Sequence, residues 1–177
     1  MTSTAPTETS TGTSTTTQVY RIFIRATPQA IWDAITTPEW TQRFGYGTID
    51  EYDLRPGGKF RGQPNAGMIA MGMTGTIVDG EVIEADPPRK LVTTWRMAID
   101  PRMVAEGFTR LTYEIEEGRG GVSRLSVFHD VSGTPNHAAM IAGIKQGPGE
   151  GGGWAWILSD LKSLLESGKP MSTQQGW

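Results

Sequence analysis

The side chains with the most chemistry to offer in this 177-residue chain are two histidines, four tyrosines and six tryptophans, with no cysteine beside them. His129 comes first because of where alternation puts it. In "RLSVFHDV" it shares a strand face with Leu125, Val127 and Val131, and across a hairpin with Leu111, Tyr113 and Ile115. There it can hydrogen-bond a ligand carbonyl or move a proton, or it can be a core histidine satisfied by Tyr113 or a neighbouring strand. The second is the commoner role. His137 follows Pro135 in a short helix expected to be exposed, where it would be inert. Two histidines on different faces and no thiolate predict neither a metal nor another cofactor.

The carboxylates Asp50, Glu51 and Asp53 have the composition of an acid/base cluster. Alternation sends Asp50 to one face and the other two to the opposite one, the pattern of a solvated strand. "RPGGK" lacks the strand, spacing and helix of a phosphate loop, and no Ser-His-Asp order with an elbow motif is present. Arg124 falls opposite Glu114 and Glu116 as an ordinary surface partner.

Aromatic and methionine side chains form a second set. Trp95 is in register with Leu91, Thr93 and Met97, Trp40 and Phe44 share a short helix face, and Trp154 leads a stripe with Ile157 and Leu158. Such groups either fill a core or stack on a flat ligand. Met68, Met71, Met73 and Met97 can follow an irregular ligand outline or simply fill a loop.

The elements that must position these residues follow from periodicity and capping. "QVYRIFIRA" predicts a first strand, and Thr27-Pro28 and Thr37-Pro38 each open a short helix. "IDEYDLRPGGKFRG" reads as a hairpin, "NAGMIAMGM" as a loop or irregular edge rather than a helix, and "TGTIVDGEVIEADPPRKLVTTWRM" as two strands, the first bulged at Gly80. A final hairpin turns at Gly118 to Gly121. After a short helix from Pro135 and the glycine-rich "QGPGEGGG", Trp154, Ile157, Leu158, Leu161, Leu164 and Leu165 trace one helical stripe that ends at Gly168 and Pro170. Asp160, Lys162, Ser163 and Glu166 fall elsewhere on that wheel. An antiparallel sheet with one apolar face needs a cover, and this helix has the stripe for it.

Composition bounds the rest. A formal charge of −3 and a pI near 5.4 argue against nucleic acid as a partner. No apolar run approaches a membrane span and no signal-peptide pattern opens the chain, so a cytoplasmic protein without membrane insertion is expected. Residues 1–17, with twelve Ser or Thr, are expected as a disordered tail, residues 18–170 as one domain and 171–177 as a short C-terminal tail.

The combination of "ATPQAIWDAITTPEWTQRF", "DLRPGGKFRG", "VIEADPPRKLVTTWRM" and "GGWAWILSDLKSLLESGKP" resembles the START-like superfamily, within it the SRPBCC branch related to the activator of heat-shock-protein ATPase. The resemblance covers about residues 18–170. It implies an α+β helix-grip fold, in which a curved antiparallel sheet of six to seven strands wraps a long C-terminal helix and two short helices follow the first strand. It also implies an internal cavity; members bind lipids, hormones or polyketides, and a few are aromatase/cyclases. Some protect antibiotic producers by binding an enediyne, or by being cleaved by it at a glycine. The co-chaperones of this group carry an additional N-terminal domain for which the Ser/Thr-rich segment is no substitute.

The expectation is therefore a hydrophobic or amphipathic small molecule bound between sheet and helix by Trp40, Phe44, Met73, Trp95, Met97, Tyr113, His129, Trp154, Ile157 and Leu158, without catalysis. A sequestering, self-resistance role is one form of it. The alternatives are a cyclase using His129, Tyr113 or an arginine, and a chaperone partner with a filled core. The glycine-rich 147–153 run and "AGMIAMGM" are the expected gate.

Overall fold

The computed structural model describes residues 16–144 and 152–172. Nearly all of the Ser/Thr-rich segment, most of the expected 147–153 gate and the last five residues lie outside the described residues.

The first strand, β1 (Thr17–Ile24), begins inside the expected tail, with Thr17 paired to Asp130. Helix α1 (Pro28–Thr36) starts where Thr27 Oγ1 accepts from the Ala30 N–H, and buries Ile31, Trp32 and Ile35; α2 (Pro38–Thr41) follows at once. Strands β2 (Ile49–Tyr52), β3 (Lys59–Gln63), β4 (Val78–Asp86), β5 (Lys90–Met97), β6 (Thr109–Glu117) and β7 (Ser123–Asp130) complete one antiparallel sheet in the order β1-β7-β6-β5-β4-β3-β2. The sheet is open and curved, and with its C-terminal helix it is the α+β helix-grip arrangement.

Between the strands lie short helices that periodicity did not reveal. The "AGMIAMGM" stretch is not a loop throughout. Residues Ala66–Ala70 form one turn, α3, because the Asn65 side chain accepts from the Met68 N–H. Likewise Asp100 accepts from the Arg102 N–H and Pro101 occupies the first position of α4 (Pro101–Glu106), a capped start overlooked in the sequence. The register shift in β4 falls between Val82 and Glu84, not at Gly80, whose lack of a side chain instead admits the Thr94 carbonyl.

Helix α5 (Pro135–Ile141) and helix α6 (Gly153–Ser167) cover one face. Trp154, Leu158, Leu161 and Leu164 of α6 join Ile24, Leu91, Leu111, Tyr113, Ile115, Leu125 and Val127 of the sheet in the main core. A second, smaller cluster of Phe60, Ile77 and Val78 lies toward the β2–β3–β4 side. Asp160, expected on the polar side of α6, is fully buried. Its carboxylate accepts from the N–H groups of Gly45, Met171 and Ser172 and from the Ser172 hydroxyl, at 2.6–3.0 Å. Met171 and Ser172 are thus clamped to the helix.

Candidate functional site

Pairing register sorts the strand residues of the concave face. Asp50 and Tyr52 of β2 lie opposite Gly62 and Phe60 of β3; Gly62 meets Val78, which meets Met97 of β5. Thr93 and Trp95 continue that face of β5 toward Leu111 and Thr109 of β6, and Leu111 meets His129 of β7. Of the ten residues expected at the site, Trp95, Met97, Tyr113 and His129 stand on strands, Trp40 on α2 and Trp154, Ile157 and Leu158 on α6, whereas Phe44 lies beyond the end of α2 and Met73 beyond α3. Met73 and Met97 pack against the smaller cluster, Trp95 against both, and the rest, His129 apart, belong to the main one or pack against it. The ten divide by burial. Phe44, Tyr113, His129, Trp154 and Leu158 are buried, whereas Trp40, Met73, Trp95, Met97 and Ile157 are partly exposed.

His129 is wholly enclosed, and both ring nitrogens are engaged. The Trp154 indole N–H donates to Nδ1 at 3.1 Å, so the proton sits on Nε2, which donates to Thr109 Oγ1 at 2.7 Å; Thr109 in turn donates to the Trp95 carbonyl at 2.7 Å. Burial, reinforced by the neighbouring His137, lowers its pKa to about 3 against a small opposing pull from Asp130. Neither nitrogen is left to meet a ligand carbonyl. This is the core histidine of the two readings, held by Trp154 and Thr109 rather than Tyr113.

His137 is not exposed, as the sequence suggested, but fully buried. Its Nε2 accepts from the Met97 N–H at 3.2 Å and its Nδ1 lies 2.8 Å from Glu106. Glu106 also accepts from the backbone N–H groups of Asn136 and His137, which makes it the anion at the start of α5. Trp95 sets its ring edge-on between the two histidines, at 5.2 Å from His129 and 5.9 Å from His137.

The polar group that alternation dismissed is Asp50. Its Oδ1 is sealed from solvent with no hydrogen-bond partner, although the residue as a whole is only partly buried. Gly62 makes the room: a Cβ there would stand 2.7 Å from Oδ1 and collide with Val78. Burial raises the carboxyl from its ordinary 3.8 to about 7, tempered by a hydrogen bond from Thr48. The phenols of Tyr52 and Tyr113 are pushed up in turn, first by burial and then by neighbouring charge that includes Asp50. Tyr52 stacks on Phe60 at 4.5 Å and Tyr113 meets Trp154 edge-on at 5.8 Å. Thr93, nearly fully buried on the same face, is the other strand residue with an unpartnered buried oxygen.

Sequence reasoning missed Asp50, Tyr52 and Thr93. The signal was present in the i, i+2 spacing of Asp50 and Tyr52, since one buried tyrosine on that strand puts the aspartate beside it. Two surface hollows among the described residues lie elsewhere. One, of about 300 Å3, runs from Phe23 to Arg119 and Arg124; the other, of about 330 Å3, lies beside Gly152, Trp156 and Met171. Neither is lined by any of the ten expected residues. Among the described residues no cluster suits a metal ion, and no helix is long and apolar enough to cross a membrane.

Comparison with known proteins gives a family match over most of the chain. The family model described as Activator of Hsp90 ATPase homolog 1-like protein matches residues 25–166. No curated protein sequence matches. Among solved structures, protein MLL2253 from Mesorhizobium loti is 19% identical with a TM-score of 0.61, over 84% of this chain and 96% of that one. The solution structure of CalU16 from Micromonospora echinospora is 21% identical with a TM-score of 0.59, over 88% and 68%. DynU16, from the dynemicin biosynthetic locus, is 19% identical with a TM-score of 0.61, over 87% of this chain but 48% of its own. The chain spans 59% of CalU16 in that protein's crystal structure and about half of DynU16. At these identities the likeness is one of fold.

Proposed function

Given a chain that belongs to the Activator of Hsp90 ATPase homolog 1-like family, we propose that it binds a small apolar or amphipathic molecule on the concave face of the sheet, toward β2, β3 and β4 and beside α6, without turning it over. One observation carries this reading. Partly exposed aromatic and thioether side chains (Trp40, Tyr52, Met68, Met73, Trp95 and Met97) gather around the smaller core cluster and its junction with the main one, while most of the fully buried side chains belong to the main core. A surface of that make-up is what a flat apolar ligand displaces water from, at about 25 cal/mol per Å2 covered.

The ligand contacts fall to the partly exposed members of the expected set, with Phe44, Tyr113, His129, Trp154 and Leu158 as the wall behind them. Helix α3, none of whose residues is buried, is the element to move when ligand enters. Engagement of both His129 nitrogens removes the general base that a cyclase built on this residue would need. Since DynU16 comes from the dynemicin biosynthetic locus, polycyclic natural products are the first ligands to try, and sequestration of such a compound in the cytoplasm is the role that fits binding without chemistry.

Native mass spectrometry of freshly purified protein, beside the same sample denatured, tests this. A reproducible extra mass that vanishes on denaturation is expected. A clean mass, together with no quenching of tryptophan fluorescence by added polycyclic aromatics, would overturn it. Capture of a chaperone by that empty protein would then favour the partner reading, with the exposed Ile69 of α3 and Met71 just after it as its first contact.

A further inference from the structure

A concave face built only to exclude water has no use for a carboxyl group. Asp50 nevertheless projects from the middle of β2 onto that face, and three features of its surroundings keep it there. Gly62 across the strand pair leaves the space, since any Cβ would crowd Oδ1 and Val78. The backbone N–H of Asp50 donates to Thr41 Oγ1 at 2.9 Å, fixing β2 against α2, the helix that carries Trp40. Tyr52, next on the same face, is locked by stacking on Phe60. Oδ1 is then left buried and unpartnered, as is Thr93 Oγ1 farther along the face. A buried acceptor without a donor costs about 1–3 kcal/mol, so two on one face point to donors supplied from outside.

We infer that Asp50 is the specificity-determining residue of this face and accepts a hydrogen bond from a hydroxyl carried on a flat apolar ligand. The inference rests on the binding reading above and names the ligand class that reading leaves open. A hydroxyl fits better than an ammonium for two reasons. It gives up far less hydration on entering an apolar groove. A carboxyl oxygen also accepts from it whether or not the group is ionised, and with burial holding Asp50 near its midpoint at neutral pH both forms are present. Trp40, Trp95 and the methionines around Phe60 supply the faces for the ring system.

Matched probes separate the terms. Affinities of 2-naphthol, 2-methylnaphthalene and 2-naphthylmethylamine are measured by tryptophan quenching at pH 7 for the wild type, Asp50→Leu and Asp50→Asn. The wild type is expected to prefer naphthol over methylnaphthalene by about tenfold. Asp50→Leu abolishes that preference while keeping methylnaphthalene, and Asp50→Asn, which retains a carbonyl acceptor, restores part of it. The carboxyl 13C resonance of Asp50 in the wild type moves with naphthol and not with methylnaphthalene, a readout that needs no variant. Equal affinity for the two neutral probes overturns the inference and leaves apolar binding standing. Preference for the amine overturns the hydroxyl class. No binding of any probe overturns the binding reading and this inference with it.

Discussion

Asp50 and His129 occupy the same concave face, and burial moves their protons in opposite directions, because it disfavours whichever form carries charge. Native Asp50 holds its proton more tightly than the unfolded chain does, so its contribution makes the fold less stable as pH rises from about 4 to about 7. His129 is neutral in the native state while the unfolded chain takes up a proton below about 6.5, so stability is lost as pH falls from there toward 3. The two trends partly cancel between pH 4 and 6.5. Asp50→Asn removes one of them. The variant is expected to be more stable than the wild type at pH 8, on the order of 2 kcal/mol, since a tenfold change in proton affinity is about 1.4 kcal/mol and partial exposure reduces the full effect. It should also lose stability more steeply below pH 6. Urea unfolding across pH 4–8 measures both, and a wild-type-like profile would show that Asp50 ionises normally. His129→Ala leaves the Trp154 and Thr109 partners stranded beside a cavity and should cost about 3 kcal/mol in the same assay.

At the scale of elements, the stronger constraints are polar. Helix α6 is oriented by its leucine stripe but located by Asp160, whose two oxygens hold the Gly45 turn on one side and Met171 and Ser172 on the other. At its first turn the Tyr46 hydroxyl accepts from the Gly152 and Gly153 N–H groups. Asp160→Ala strands four donors and should cost about 3–5 kcal/mol, with protection of the Gly45 and Met171 amides lost in hydrogen exchange. Helix α5 depends in the same way on Glu106, the last residue of α4, which precedes it in the chain by the whole β6–β7 hairpin. Glu106→Gln removes the charge at that helix start and one of the paired acceptors, and should lower stability by about 1 kcal/mol in thermal unfolding. Neither clamp was legible. A stripe of apolar residues announces which side of a helix is buried, whereas a buried carboxylate looks like any other surface acid until its donors, more than a hundred residues away in the case of Gly45, are in place.

For the molecule as a whole, packing is uneven. The β1–β7–β6 side, backed by α1, α5 and α6, is closed, and the β2–β3–β4 side with α3 holds a small cluster ringed by partly exposed side chains. Native-state hydrogen exchange should find the slowest amides in β6 and β7 and the fastest strand amides in β2 and β3, and a bound ligand should slow the latter selectively. Uniform exchange would contradict a binding side built from the weaker half. The order of the main elements, the alternating core of the last hairpin and the identity of the covering helix were readable along the chain. Those follow from periodicity, capping and turn residues, which act within a few positions along the chain. The enclosure and bonding of both His129 and His137, the clamp at Asp160 and the inward turn of Asp50 beside Tyr52 exist only in the folded chain. Each of these depends on which distant groups surround a polar atom and whether water can reach it, and the curl of a seven-stranded sheet settles that through contacts between strands far apart in sequence.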